Sequence, residues 1–171
     1  MEDEKSRSYF EKELKKIKPC DAKETEVLLA KKEEEGALTR LVEGHLWKLV
    51  SAAALYETDK VRFMDLIQEG SMALADFFRE RDEIGENFEG DMEKAVVKAM
   101  EAFSKEENQS FRAGEELVQK LNAIDFFATK IAEEKGREAT KEELALLMNT
   151  STEEVENLLK IALEILEGDH R

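Results

Sequence analysis

From Phe63 to Phe78 the chain reads FMDLIQEGSMALADFF, and its apolar residues Phe63, Leu66, Ile67, Leu74, Phe77 and Phe78 recur at three- and four-residue steps. That period gathers them on one side of a helix, whereas a half-buried strand would alternate them. The same period runs through most of the chain. One proline and eight glycines in 171 residues leave few breaks, and long β-branched runs are missing. The predicted fold is all-α.

A helix is predicted over 2–18, stopped by Pro19. Asp21 precedes Glu24 with capping-box spacing, so a second runs from Ala22 to about Glu35 and ends at Gly36. A third spans 37–57 and carries Leu38, Leu41, Val42, His45, Leu46, Leu49, Val50 and Ala53 on its apolar side. ETDKV connects it to the opening stretch, which DEIGEN, with Gly85, ends. A fifth helix is predicted over 88–103, and the polar run SKEENQS separates it from a sixth over 115–135. Thr140 with Glu143 and Ser151 with Glu154 then frame helices over 141–148 and 152–166, with a turn at 149–151 between them. That spacing resembles a helix-turn-helix unit. The expected organisation is an N-terminal helical arm (1–20), a core helical domain (21–114) and a helix-turn-helix-like domain (115–171).

Two features of the opening stretch need a reason. Gly70 costs about 1 kcal/mol relative to alanine in a helix interior. It falls on the side of Leu66, Ile67 and Leu74, where close helix packing would offset that cost. The other side carries Asp65, Gln68, Glu69, Met72 and Asp76. Taken alone, such a stripe is a solvated polar face.

Charge and composition exclude several functions. The formal net charge of −15 opposes long-range attraction to nucleic acid or an anionic membrane. No apolar run approaches the ~20 residues of a membrane span, and the N-terminus MEDEKSRSYF is too charged for a signal peptide. Cys20 has no second cysteine to pair with, which fits a reducing cytosol, and a cytoplasmic location is expected. His45 and His170 are the only histidines, and neither belongs to a Glu-x-x-His pair. His45 reads as a hydrogen-bonded core residue, and Cys20 as an inert thiol. No phosphate-binding glycine loop occurs. The chain is expected not to be an enzyme and to need no metal or cofactor.

One long stretch carries a resemblance. LVEGHLWKLVSAAALYETDKVRFMDLIQEGSMALADFF is similar to the core of primary-type bacterial RNA polymerase sigma factors, with Asp65 to Gly70 its most specific part. KETEVLLAKKEEEGALTRLVE resembles the segment before that core. GREATKEELALLMNTSTEEVENLLKIA resembles the helix-turn-helix segment after it, with Ala139 where the family usually has proline. The resemblance covers roughly residues 21 to 163. It implies a multi-helix sigma-factor-like bundle followed by a small helix-turn-helix-like unit. It also implies that the DLIQEG helix docks on the clamp coiled coil of the polymerase's largest subunit. Asp65, Gln68 and Glu69 would face that coil, with Met72 as an adaptable apolar contact. Ser71, in the same surface, stands where the family usually has asparagine.

The following segment departs from the family. Sigma factors open promoter DNA there with aromatic residues that capture unstacked bases and basic residues that hold phosphates. Counting from Gly85 and Phe88, which fit, the family's tyrosine falls on Asp91, its tryptophan pair on Lys94 and Ala95, and its arginine on Val97. Between Asp82 and Glu116 eleven acidic residues face four basic ones, Lys94, Lys98, Lys105 and Arg112. In the helix-turn-helix-like unit, Glu153, Glu154, Glu156 and Asn157 stand where DNA readers place basic and amide groups. The sequence given ends at Arg171, before any further promoter-reading helix-turn-helix.

The expected function is therefore that of a sigma-like protein which binds core RNA polymerase and has degraded promoter recognition. It would act as a competitor or a partial sigma subunit, or with a second protein that supplies the DNA contacts. One alternative is a divergent working sigma factor that uses Lys94, Lys98, Lys105 and Arg112 for limited contact with promoter DNA. Another is a helical scaffold that does not meet polymerase.

Overall fold

The protein is described here by a computed structural model covering residues 2–168. His170 and the terminal Arg171 lie outside the described residues. Among the described residues there are eight helices and no strands: α1 (Glu2–Leu14), α2 (Ala22–Ala30), α3 (Ala37–His45), α4 (Trp47–Tyr56), α5 (Phe63–Arg79), α6 (Phe88–Lys135), α7 (Lys141–Met148) and α8 (Thr152–Gly168). They form two compact units, residues 1–109 and 110–171, and α6 contributes to both.

Local signals explain most boundaries. The Asp21 carboxylate accepts from the Glu24 N–H at 2.9 Å and starts α2, satisfying one of the amides that a helix start leaves unpaired. In the ETDKV connection the Thr58 hydroxyl oxygen accepts from the Lys60 and Val61 amides, and Val61 is buried by the resulting turn. The Thr140–Glu143 capping box is complete, Ser151 accepts from the Glu154 N–H, and Asn149 ends α7 in the left-handed region at φ 52°.

Other boundaries differ from expectation. The first helix ends at Leu14 rather than reaching 18, with turns at Lys16 and Ile17. The second ends at Ala30 rather than Glu35, and residues 31–36 turn back to Gly36, whose φ of 82° suits glycine. Lys32 explains that turn. Its ammonium donates to the carbonyls of Arg79 (2.7 Å) and Arg81 (2.9 Å) and pairs with Asp82, so it caps the open end of α5. The third predicted helix is interrupted at Leu46, where the amides of Leu46 and Leu49 bond three residues back. The largest correction concerns SKEENQS. It does not separate two helices but lies inside α6, which is continuous from Phe88 to Lys135. Its residues are polar but include neither proline nor glycine, and polarity alone does not end a helix.

The core of the first unit is built on α5. Its buried face, Phe63, Leu66, Ile67, Gly70, Leu74, Phe77 and Phe78, packs against Leu41 and Leu49 and against Phe88, Met92, Val96 and Met100 of α6. Phe10 of α1 meets Phe63 edge-on at 6.2 Å, and Arg7 lies over the same ring while pairing with Glu57 at 2.8 Å. The second unit has its own core of Ile124, Leu144, Ala145, Val155 and Leu158.

His45 is buried in the first core, 5.1 Å from the Phe78 ring centroid, and its Nδ1 lies 2.7 Å from the Leu41 carbonyl oxygen. That contact assigns the proton to Nδ1. Burial lowers its pKa from the ordinary 6.5, because the cation would be desolvated. A depressed histidine pKa gives stability that is present above 6.5 and is lost as pH falls toward the folded value. The unfolding free energy from urea titrations should therefore fall between pH 7.5 and 5.5, with His45 contributing at most about 1.4 kcal/mol per pH unit below 6.5. His45→Gln should be less stable at pH 7.5 and show a flatter profile over that range.

Candidate functional site

The stripe opposite the core face of α5 is held by a rigidly packed helix. Asp65 sits in the first turn, where a carboxylate suits the positive helix end. It accepts two hydrogen bonds from the Arg62 guanidinium, at 2.9 and 3.1 Å. Gln68 is exposed, Glu69 is half-buried, and Met72 is 49% exposed. Ser71 differs from these. Its hydroxyl donates to the Ile67 carbonyl oxygen at 2.7 Å, so it is engaged by its own helix. Gly70 lies on the other side, where a Cβ would come within 2.4 Å of Met100 Cε and 3.0 Å of Leu49 Cδ2.

The segment that would handle DNA is built for other contacts. Asp91 accepts from Asn87 at 3.0 Å and from Arg81 at 3.4 Å, and Arg81 in turn lies 4.1 Å over the Phe77 ring. The position expected to carry an aromatic platform thus ties the end of α5 to α6. Lys94 is exposed, Ala95 packs against the core, and Val97 lines an apolar groove. Lys98, Lys105 and Arg112 are also exposed on α6. Lys94, Lys98 and Lys105 recur at spacings that share one helix face.

In the second unit the acidic start of α8 is engaged internally. Glu154 accepts from Lys120 and Thr150, and Glu156 pairs with Lys141. Hydrogen bonds from these lysines hold both carboxyls below their ordinary range. Glu143 is held lower still by Arg137 and Lys135. Cys20 is half-buried, its Sγ 3.7 Å from the Arg40 carbonyl oxygen, and burial pushes its thiol pKa up. Among the described residues no group of three His, Cys, Asp or Glu side chains is placed to hold a metal, and no helix is long and apolar enough to cross a membrane.

The sequence pattern missed one surface. Trp47 and Leu55 fall outside the apolar side assigned to residues 37–57, yet they are 49% and 79% exposed beside the groove that Val97 lines. Large apolar residues off the predicted core face were the available signal.

Comparison with known proteins finds similar sequences along most of the chain. Residues 112–167 match the family description Sigma-70 region 3. The chain is 32% identical over 162 residues to the RNA polymerase sigma factor SigA of a Bacillus species, covering 92% of this chain and 42% of that protein. It is 29% identical over 166 residues to SigA of Clostridium acetobutylicum, covering 95% of this chain and 43% of that protein. Most of this all-α chain is thus similar in sequence to RNA polymerase sigma factors, at the distance of a divergent relative, and its C-terminal part matches Sigma-70 region 3. It spans about two fifths of the length of these relatives.

Proposed function

We propose that this protein acts in transcription by binding core RNA polymerase through the outward side of α5, and that it has lost ordinary promoter opening. Asp65, Gln68, Glu69 and Met72 would meet the clamp coiled coil, with Ser71 at the margin of that surface. The carrying observation is the contrast between the two surfaces. The DLIQEG helix keeps its polar stripe on a fully packed core, while Asp91, Lys94, Ala95 and Val97 replace the expected aromatic and basic set. Such a protein competes with a complete sigma factor or works beside a second protein that contacts DNA. A net charge of −15 favours that division of labour, because an acidic surface repels phosphates.

Pull-down of purified core polymerase tests the docking step. Wild-type protein should recover polymerase, and Gln68→Lys and Asp65→Arg should each weaken recovery by about tenfold, the equivalent of 1.4 kcal/mol. Failure of the wild type to recover polymerase, or recovery unchanged in both variants, would discard this reading in favour of a scaffold. Promoter opening by polymerase with this chain alone would instead support a working sigma factor that uses Lys94, Lys98, Lys105 and Arg112.

A further inference from the structure

A second interaction surface lies between α4 and the first turns of α6, within the first unit. It is a groove of about 320 Å³. One wall carries Trp47, Ser51 and Leu55, spaced four residues apart as a ridge along α4. The other carries Met92, Val96 and Val97, with Leu74 of α5 also lining it. Leu74, Met92 and Val96 are buried, so the floor belongs to the core, while the lips stand in solvent. Trp47 is the chain's only tryptophan, and a half-exposed tryptophan beside a 79%-exposed leucine is an arrangement that partner contacts favour.

Charge selects the occupant. The cation on the lip, Lys48, is paired with Glu89 and lies 4.7 Å over the Trp47 ring. On the opposite lip Glu93 is exposed, and Glu101 continues the same face of α6. Lys94, directly after Glu93, is exposed but does not line the groove, and Lys98 lines a separate hollow with Asp76, Glu80 and Asp91. A groove between two helices accepts the ridge of a third. We propose that the α4/α6 groove binds an amphipathic helix of a partner protein, its apolar ridge seated between Trp47, Leu55 and Val97 and its lysine or arginine flank beside Glu93. The inference goes beyond the polymerase contact and does not depend on it. The groove opens on a different side of α5 from the Asp65–Met72 stripe, because Leu74 faces inward.

Trp47 is its own reporter. Two synthetic helical peptides of about 18 residues, or five turns, serve as probes. Both carry a leucine ridge, one with lysine flanks and the other with glutamate flanks. The leucine–lysine peptide should shift Trp47 emission to the blue in a saturable way, and the leucine–glutamate peptide should bind about tenfold more weakly. Leu55→Asp changes an exposed side chain, so its thermal melt should match wild type while its peptide affinity falls about tenfold. Glu93→Lys should narrow or reverse the preference between the two peptides. Equal binding of the two peptides, unchanged affinity in Leu55→Asp, or no emission shift with either would overturn the proposal. So would sedimentation showing a dimer that Leu55→Asp dissociates, since the groove would then belong to a second copy of this chain.

Discussion

Phe78→Ala is expected to lower stability by about 3–5 kcal/mol, the usual cost of removing a fully buried phenylalanine. Phe78 has no exposed surface and meets three other rings, His45 at 5.1 Å, Phe77 at 5.7 Å and Phe88 at 6.3 Å. It therefore joins α3, α5 and the start of α6. Truncation leaves a cavity among these three helices, bordered by the His45, Phe77 and Phe88 rings. Domains of this size hold about 5–15 kcal/mol in total, so the variant should lose a large share of its stability. Urea unfolding followed by circular dichroism would measure it, and a loss below about 1 kcal/mol would contradict this packing. Phe78→Leu retains most of the volume and should lose less.

Gly70→Val should cost about 2–3 kcal/mol, at the upper end of overpacking effects. A side chain at this position gains helix propensity over glycine. The gain is small against the collision. The Cβ alone meets Met100 Cε at 2.4 Å and Leu49 Cδ2 at 3.0 Å, and valine adds two further carbons. Met100 is flexible but fully buried, so it has little room to retreat. The double variant Gly70→Val, Met100→Ala should be more stable than the sum of the two single effects predicts, because one substitution vacates what the other fills. Strict additivity would show that Gly70 does not pack against Met100.

Much of this architecture was legible from local signals. The apolar period placed the core face of α5, including the side on which Gly70 lies, and the capping signals at Asp21, Thr140 and Ser151 marked helix starts correctly. These signals are legible because each depends on residues within about four positions of one another. The continuity of α6 was missed because SKEENQS is polar. A polar run reads equally as a loop or as an exposed helix until its neighbours are known. Here Ser104 donates to the Tyr56 carbonyl oxygen and Asn108 donates to the Ser104 carbonyl oxygen, contacts that hold this stretch in helical form against α4. Lys32 lies in an ordinary charged run of the sequence, and only the tertiary fold sets its ammonium among the carbonyls that end α5, forty-seven positions further on for Arg79.

The same division applies to function. The sequence by itself determined the helical class, the polar stripe at Asp65, Gln68, Glu69 and Met72, the sigma-like motif that contains it, and the identities of Asp91, Lys94, Ala95 and Val97 where the resemblance leads one to expect aromatic and arginine side chains. Identity and spacing along one helix suffice for those. Only the tertiary structure decided that Asp91 ties α6 to Arg81, and that Trp47, Leu55 and Val97 line one groove. Those outcomes depend on which side chains meet across helices far apart in the chain, and a helical period specifies a face without specifying what lies opposite it.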